Sequence, residues 1–212
     1  MPHLLDSGPS DGPALLLAHG AGAAMDSRWM DDMAARLAAR GVRVLRFEFA
    51  YMAARRSGSR PPVPRADRVL DEYRAAWEEA GRPPFIGGKS YGGRVASMVA
   101  DSLDGPAGGL RGLVCLGYPF HPPGRPEQPR TAHLEHLTTP ALICQGERDP
   151  MGTTADVAGY ALSPAITVSW SPDGDHDLRP RTAVSGRTFA ENLDAAATAV
   201  AEFARTTGSQ RS

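Results

Sequence analysis

The sequence predicts an α/β fold on a doubly wound, mainly parallel sheet of about six strands, with helices on both faces and no large cap domain. Short apolar runs alternate with longer segments of helical periodicity, and this alternation is typical of consecutive βα units. The length of 212 residues suits one domain with one core, and a content of 42% hydrophobic and 22% charged residues is typical of a globular protein.

The strands are predicted from six apolar runs. Each run is short and is bounded by turn residues or by a helical pattern, which distinguishes it from a buried helix. In chain order, the runs cover residues 14–18, 42–49, 85–87, 112–116, 141–144 and 166–170.

Four segments have helical periodicity. In the first of them, Trp29, Met33 and Leu37 recur at helical spacing. Ser27 precedes this pattern in the N-cap position, and Gly41 follows it in the C-cap position. The other three segments cover residues 66–80, the residues directly after Ser90, and residues 188–205.

Two stretches rich in Pro, Gly and Arg interrupt this alternation. Residues 52–65 and 117–130 are predicted to be loops, because proline cannot continue a helix or a central strand. We expect residues 1–212 to form a single domain, with tails at residues 1–12 and 206–212.

Charge and composition exclude several broad classes of protein. The 23 Lys and Arg residues against 24 Asp and Glu residues give a net charge of −1, so no overall basic field exists to hold nucleic acid or an anionic membrane. No apolar run is long enough to cross a bilayer. Cys115 and Cys144 lie in apolar runs, which argues against a disulfide framework. We expect a cytoplasmic protein without nucleic-acid or membrane partners; the sequence leaves its oligomeric state open.

The most informative segment is FIGGKSYGGRVASMVA, which places a G-x-S-x-G motif at residues 88–92 between an apolar strand and a helix. A serine on such a sharp strand-to-helix turn is held in strained backbone geometry. Side chains two residues on either side would collide where strand and helix pack together, which explains Gly88 and Gly92. The motif predicts that Ser90 is a nucleophile.

The same letters allow a second interpretation. Gly-Lys-Ser at residues 88–90 also ends a phosphate-binding G-x-x-x-x-G-K-S loop. That loop needs a glycine where this chain has Pro83, and it needs loop residues where residues 85–86 are apolar. The nucleotide-binding interpretation is therefore the weaker of the two.

A serine hydroxyl is a poor nucleophile at neutral pH, so it needs a histidine base and an acid that fixes the tautomer of that base. Asp149 follows the fifth predicted strand and His176 follows the sixth. The carboxyl ends of parallel strands meet at one edge of the sheet, so both residues are expected beside Ser90. The order Ser, Asp, His is also the order expected for this motif.

The acid and the base have alternative interpretations. Asp149 precedes a proline and could be a turn former or a helix cap, and Glu147 is a rival acid. The three aspartates around His176 could form a solvated turn or a metal loop, although the spaced ligands and the glutamate of a calcium site are missing. His133 and His136 precede the acid and fit the expected order less well. No metal and no cofactor are predicted.

The intermediate of acyl transfer requires preorganised N–H donors for its oxyanion. The amide of Tyr91, directly after the nucleophile, is expected to be one donor. The second is expected from the loop after the first strand, where residues 19–22 read His-Gly-Ala-Gly, and we assign it to Ala21. Alternatively, the glycines of this turn provide only backbone freedom.

With these motifs in this order, the chain resembles a compact α/β-hydrolase. More narrowly, GGKSYGGRVAS, LGYPFHPPGRPE, LICQGERDPMG and GDHDLRPR resemble the small bacterial branch related to dienelactone hydrolases and to the testis-expressed protein of this fold. The resemblance covers nearly the whole chain and implies the roles given above for Ser90, Asp149, His176, Ala21 and Tyr91. That branch includes a subunit of a chromatin acetyltransferase complex, so the resemblance alone leaves catalysis open.

The leading hypothesis is a cofactor-free serine hydrolase that cleaves a small carboxylic ester, thioester or lactone through an acyl-enzyme. The alternative is a catalytically weak or inactive binding or scaffold protein of the same fold. Arg55, Arg56 and Arg60 are interpreted as residues of a solvated loop rather than as a site for a carboxylate-bearing substrate. Six side chains could line an acyl pocket, although such residues more often belong to the core. They are Tyr51, Met52, Tyr118, Phe120, His121 and Met151.

Overall fold

A seven-stranded sheet forms the centre of the fold in the computed structural model, which describes residues 4–103 and 109–209. Its strands are β1 (Leu5–Ser7), β2 (Ala14–Ala18), β3 (Arg43–Phe47), β4 (Phe85–Lys89), β5 (Gly112–Leu116), β6 (Ala141–Gly146) and β7 (Ile166–Ser171). They lie in the order β1-β3-β2-β4-β5-β6-β7. All neighbouring strands are parallel except β1, which pairs antiparallel with β3.

Helices form most of the connections between the strands. None of the helices in residues 4–103 and 109–209 is both long and apolar enough to cross a membrane. A short 3-10 turn at Ala66–Arg68 precedes the third helix. The helices are α1 (Arg28–Ala38), α2 (Ala50–Arg56), α3 (Leu70–Glu79), α4 (Tyr91–Leu103), α5 (Thr154–Ala158), α6 (Thr182–Ser185) and α7 (Phe189–Ser209).

The two faces of the sheet are covered by different helices. On one face, α1 and α7 bury Leu37 and Val200 against the strands, and on the other face α3 and α4 bury Trp77 and Val95. The free cysteines Cys115 and Cys144 are buried, one on each face. This arrangement confirms the predicted doubly wound α/β fold with helices on both faces.

The two chain ends differ from the prediction. Residues 5–7 lie in β1 rather than in a tail, because their backbone pairs with β3 and Asp6 forms an ion pair with Arg43 at 2.6 Å. A strand of three residues is too short to show a period in the sequence. At the other end α7 continues through residues 206–209, which were also expected in a tail. The outermost parts of both predicted tails, residues 1–3 and 210–212, lie outside the described residues.

The first Pro-rich stretch also differs from the prediction. Residues 52–56 belong to α2, so the predicted loop begins only after Arg56. The reason is composition, because the Ala and Arg residues at 53–56 favour a helix and the prolines follow only from Pro61. Residues 117–130 contain no helix or strand, as predicted.

Tyr73 of α3 joins the two central strands β2 and β4. Its fully buried hydroxyl donates to the carbonyl oxygen of Gly87 at 2.8 Å, lies 3.2 Å from the carbonyl oxygen of Leu16, and accepts from the amide of Gly87 at 2.9 Å. A side-chain hydroxyl thus completes the hydrogen bonds of a strand that ends directly before Ser90.

We expect Tyr73→Phe to lower the free energy of unfolding by about 1–3 kcal/mol, because the buried amide of Gly87 loses its acceptor. Urea unfolding followed by circular dichroism measures the change. Tyr160→Phe is the matched control: it removes a hydroxyl that donates to the carbonyl oxygen of Pro126 at 3.3 Å near the surface. We expect it to change the free energy of unfolding by less than about 0.5 kcal/mol. Equal losses in the two variants would contradict the role given to Tyr73.

Candidate active site

Ser90 occupies the turn between β4 and α4. Its φ angle of 51° lies in the left-handed region, which residues with a Cβ rarely adopt. Its amide donates to the carbonyl oxygen of Leu116 at 3.0 Å, and its carbonyl oxygen accepts from the amide of Arg94 at 3.0 Å. The serine is therefore held in a strained turn by hydrogen bonds on both sides.

Gly88 and Gly92 allow this turn to form. A Cβ atom on Gly92 would lie 2.5 Å from the carbonyl oxygen of His19, and one on Gly88 would overlap the backbone of Gly92. These contacts involve backbone atoms, which cannot move aside as a flexible side chain can. Strand and helix therefore approach each other as the motif predicts, and only glycine fits at either position.

His176 links Ser90 to Asp149. Its Nε2 atom lies 2.7 Å from Oγ of Ser90, and its Nδ1 atom lies 2.7 Å from Oδ2 of Asp149. A carboxylate oxygen accepts hydrogen bonds, so Nδ1 carries the ring proton and Nε2 accepts from the Ser90 hydroxyl. The structure brings together the three side chains that the sequence predicts to act together.

Asp149 is fully buried and is held by two further donors. The side-chain amide of Gln145 donates to Oδ2 at 2.8 Å, and the amide of Met151 donates to Oδ1 at 2.8 Å. Oε1 of Gln145 in turn accepts from the amide of Tyr118 at 2.7 Å. Three donors therefore hold the carboxylate, two on Oδ2 and one on Oδ1, and fix its orientation toward His176.

The hydrogen bonds around Asp149 distinguish between the alternative interpretations of this residue. Asp149 is also a turn former, since its carbonyl oxygen accepts from the amide of Gly152 at 3.0 Å. It is not the cap of α5, because Thr153 caps that helix in a capping box with Asp156. The rival acid Glu147 accepts from the amide of Asp173 at 2.8 Å instead of from His176.

The aspartates around His176 stabilise the loop that carries it. Asp173 pairs with Arg181, and Oδ1 of Asp175 accepts from the amides of Asp177 and Arg179, each at 2.9 Å. Within the described ranges, no group of three or more His, Cys, Asp or Glu side chains is arranged to hold a metal ion. The acidic turn is therefore held by an ion pair and by hydrogen bonds to backbone amides.

Lys89 connects the end of β4 to the same loop. Its Nζ atom donates to the carbonyl oxygen of His176 at 2.8 Å, lies 3.1 Å from Oδ1 of Asp177, and sits 5.3 Å from the ring centre of Trp29. Burial lowers the pKa of Lys89, and the nearby Asp177 opposes this effect. Because residues 85–89 form a strand and Lys89 is bound to the His176 loop, the nucleotide-binding interpretation does not fit.

His19 fixes the turn after β2. Its buried ring accepts from the amide of Phe49 at Nε2, over 3.2 Å, and donates from Nδ1 to the carbonyl oxygen of Gly20 over 2.6 Å. This pair of bonds requires a neutral ring, and burial lowers the pKa of His19 accordingly. The Tyr51 hydroxyl donates to the carbonyl oxygen of Ala21 at 3.1 Å, so the turn is held at two successive residues.

Two cavities meet at Ser90. The arginine cavity, of about 470 Å³, extends over α4 and is lined by Tyr91, Arg94 and Arg130 among others. The histidine cavity, of about 490 Å³, lies between the turn at residues 20–23, α1 and the loop of His176. Ser90, Ala21 and Met151 line both cavities.

The two expected oxyanion donors lie at this junction. Tyr91 is the first residue of α4, and amides in the first turn of a helix have no acceptor within the helix. Ala21 lies in the turn after β2 and lines the arginine cavity together with Tyr91 and Ser90. Both residues therefore border the space in front of the Ser90 hydroxyl.

A family profile described as an alpha/beta hydrolase domain matches residues 11–205. The chain belongs to the α/β-hydrolase family. The match confirms the resemblance drawn from the motifs.

Solved structures share this fold at low sequence identity. A serine hydrolase without a lid from Xanthomonas campestris has a TM-score of 0.68 at 19% identity, over 94% of this chain and 88% of that chain. A dienelactone hydrolase from Anabaena variabilis has a TM-score of 0.69 at 17% identity, over 96% and 91% of the two chains. The esterase domain of a Rhodothermus marinus protein has a TM-score of 0.64 at 17% identity, over 97% and 92%. These values establish the fold that this α/β-hydrolase shares with the three proteins.

The structure places the six side chains predicted for an acyl pocket in two kinds of surroundings. Met151 lines both cavities of this α/β-hydrolase, whereas the other five are buried in the core. Two of these five contact residues that line the cavities. The Tyr51 hydroxyl donates to the carbonyl oxygen of Ala21, and the amide of His121 donates to the carbonyl oxygen of Met151 at 3.2 Å. The five are Tyr51, Met52, Tyr118, Phe120 and His121.

Ser97 of α4 and His133 form a second hydrogen-bonded serine–histidine pair. The Ser97 hydroxyl lies 2.8 Å from Nε2 of His133 and 2.8 Å from the carbonyl oxygen of Arg94, which accepts its hydrogen bond. Burial, reinforced by the nearby Arg94, lowers the pKa of His133 to about 4. Within the described part of the chain, His133 contacts the hydroxyls of Ser97 and Tyr118 and no carboxylate. Ser97 is buried inside α4 and lacks the strained turn of Ser90.

Sequence reasoning missed four polar residues of the site. Gln145 is the single polar side chain in the buried strand β6, and a buried amide requires hydrogen-bond partners, which was the available signal. Lys89 lies inside the G-x-S-x-G motif of residues 88–92, but the motif predicts no role for it. Arg94 and Arg130 gave no local signal, because only the fold brings them to one cavity.

The depressed pKa of His133 predicts a pH-dependent contribution to stability. The value is about 4 in the folded protein against 6.5 for an ordinary histidine, with Asp101 opposing the larger effects of burial and Arg94. Between these two pH values the unfolded chain binds a proton that the folded chain does not, so stability falls as the pH decreases. We expect His133→Gln to lose less stability than the wild type across this window.

Urea unfolding at several pH values between 6.5 and about 4 measures the difference. His136→Gln is the matched control, because His136 is exposed and lies in the same segment. We expect the control to follow the wild type. Parallel curves for all three proteins would contradict the prediction.

Proposed function

We propose that the protein is a serine hydrolase that cleaves a small carboxylic ester, thioester or lactone through an acyl-enzyme. The observation that carries the proposal is the chain of hydrogen bonds from Ser90 through His176 to the buried Asp149. The donor and acceptor atoms of each bond lie 2.7 Å apart. Such a hydrogen-bonded arrangement supplies a nucleophile, a base and a group that orients the base. The strained turn of Ser90, which presents its hydroxyl to two cavities, supports the same proposal.

In the first half of the reaction, Oγ of Ser90 attacks the carbonyl carbon while Nε2 of His176 takes the hydroxyl proton. The amides of Ala21 and Tyr91 would stabilise the oxyanion of the tetrahedral intermediate. When the intermediate collapses, the bond to the leaving oxygen or sulfur breaks and His176 returns the proton to the leaving group. The acyl group then remains on Ser90.

In the second half, water attacks the acyl-enzyme and gives a proton to His176. Collapse of this intermediate breaks the bond to Oγ, releases the carboxylic acid and restores the Ser90 hydroxyl. Asp149 stays a carboxylate throughout and stabilises the imidazolium that forms in each half. Its complete burial strengthens this interaction, because no water screens it.

The position of His176 supports a proposed assignment of the two cavities to the two halves of the substrate. The residue that protonates the leaving group must lie beside it, and His176 lines the histidine cavity. The leaving group therefore belongs in the histidine cavity, and the acyl group belongs in the arginine cavity on the other side of Ser90.

A fluorophosphonate probe tests the nucleophile. We expect intact-mass analysis to find one adduct on the wild type and none on Ser90→Ala. Ser97→Ala is the matched control and should be labelled like the wild type, although Ser97 also contacts a histidine. A wild type that is not labelled would contradict the proposal, as would an adduct that persists in Ser90→Ala.

Turnover of short-chain esters distinguishes an enzyme from a scaffold protein of the same fold. We expect His176→Ala and Ser90→Ala each to lower kcat by at least about 10³-fold, because the nucleophile and its base act as a unit. No measurable turnover by the wild type across a panel of acyl-chain lengths would favour the scaffold protein.

Lys89→Met tests whether the contact between β4 and the loop of His176 serves catalysis. The variant keeps the apolar stem and loses the hydrogen bond to the His176 carbonyl oxygen. We expect kcat to fall about 10- to 100-fold with a smaller change in KM, because the base loses its fixed position. The loss of stability should stay within about 1–3 kcal/mol, because the His176 carbonyl oxygen loses a donor while a desolvated ammonium is removed and the exposed Asp177 carboxylate remains solvated. A loss of stability with unchanged kcat would show a purely structural role.

A further inference from the structure

The arginine cavity carries positive charge without a matching acid. Four charged residues line it, and two of them, Arg65 and Asp67, pair with each other at 3.1 Å. The other two are Arg94 and Arg130, and neither forms an ion pair with a carboxylate within residues 4–103 and 109–209. Among the described residues, the cavity beside Ser90 therefore contains two arginines without a carboxylate partner.

The surroundings of these two arginines are unfavourable for unpaired cations. Nε of Arg94 is buried and has no hydrogen-bond partner among the described residues. Burial lowers the pKa of Arg130, and the charge of Arg94 lowers it further, so the two guanidinium groups repel each other. Partly buried like charges are costly unless an anion lies between them.

The backbone of both arginines is held firmly. Arg94 lies one turn into α4, roughly 6 Å along the helix axis from Ser90. The amide of Arg130 donates to the carbonyl oxygen of Phe120 at 2.7 Å, and its own carbonyl oxygen accepts from the Tyr118 hydroxyl at 3.3 Å. The buried Tyr118 thus supports the segment from which Arg130 lines the cavity.

Apolar side chains line the arginine cavity together with Ser90 and the two arginines. Tyr91, Met98 and Pro119 line the same cavity. Such a wall suits a short aliphatic chain, which would span the distance between an ester carbonyl at Ser90 and an anionic group at the arginines. A planar carboxylate matches the donor fork of a guanidinium group in a bidentate manner.

We propose that Arg94 and Arg130 bind a carboxylate at the distal end of the acyl group, so that the preferred substrates are esters or thioesters of dicarboxylic acids. This inference rests on the proposed function, which places the acyl half in the arginine cavity. It predicts that charge on the acyl half raises kcat/KM and that charge on the leaving group does not. The exposed Arg60, which lines a separate cavity with Arg55, has no part in this selection.

Three nitrophenyl esters test the proposal: the neutral hexanoate, the adipate monoester with a terminal acyl carboxylate, and a hexanoate whose nitrophenol ring bears the carboxylate. We expect the wild type to prefer the adipate monoester over the neutral ester by about 10- to 100-fold in kcat/KM, as charge-assisted hydrogen bonds imply. Arg94→Gln and Arg130→Gln should each remove most of this preference, measured within each variant as the ratio of kcat/KM for the adipate monoester to kcat/KM for the neutral ester. Arg60→Gln removes the same charge elsewhere and should behave like the wild type.

A binding measurement separates this inference from the proposed function. Adipic acid monoamide and neutral hexanamide have the same chain length, and their binding to Ser90→Ala is measured by calorimetry without turnover. We expect the monoamide to bind Ser90→Ala more tightly than hexanamide, and Ser90→Ala/Arg94→Gln to lose this difference.

The outcomes decide between the two proposals. Ester hydrolysis without acyl-charge preference, together with equal binding of the two amides, would overturn the carboxylate site and leave the hydrolase intact. A preference for charge on the leaving group, or a preference retained in both arginine variants, would also overturn it. Selective binding of the monoamide without any ester hydrolysis would support the site and contradict the proposed function.

Discussion

The close approach of β4 and α4 at Ser90 is the constraint on which the site depends. The backbone of Gly92 stands where a Cβ on Gly88 would lie, and the backbone of residues 18–19 stands where a Cβ on Gly92 would lie. Between these contacts Ser90 takes a left-handed conformation, with its hydroxyl 2.7 Å from Nε2 of His176 and with Tyr91 starting α4. The position of Ser90 is thus set by main-chain packing, and the other groups are arranged around it.

Buried polar groups with matched partners fix those other groups. Gln145 orients Asp149, the neutral ring of His19 holds the turn that carries Ala21, and Lys89 holds the loop of His176. Each of these side chains is buried, so an unmade hydrogen bond would be costly and alternative orientations are disfavoured. Arg94 and Arg130 depart from this pattern, since neither forms an ion pair among the described residues, and on this departure the proposed carboxylate subsite rests.

The sequence predicted the parts of the fold that depend on local pattern. The central strands follow from apolar runs, and the turn at Ser90 follows from glycine spacing, because both signals lie within a few residues. The edge strand β1 was missed because its stability comes from pairing with β3. Tyr51 and Tyr118 were predicted to line a pocket; whether an aromatic ring faces a cavity or the core depends on how distant segments pack. The presence of Arg94 and Arg130 in one cavity likewise depends on how distant segments pack.

Lys89 and Ser90 are consecutive residues, yet they contact His176 at different places. Lys89 binds its main-chain carbonyl oxygen, and Ser90 binds its ring. The loop of His176 extends from β7, which lies at the edge of the sheet and has a strand on one side only. Both contacts therefore join this edge loop to one short segment at the end of β4, which lies in the middle of the sheet. A displacement of the loop away from β4 would have to break a main-chain and a side-chain hydrogen bond of His176 together.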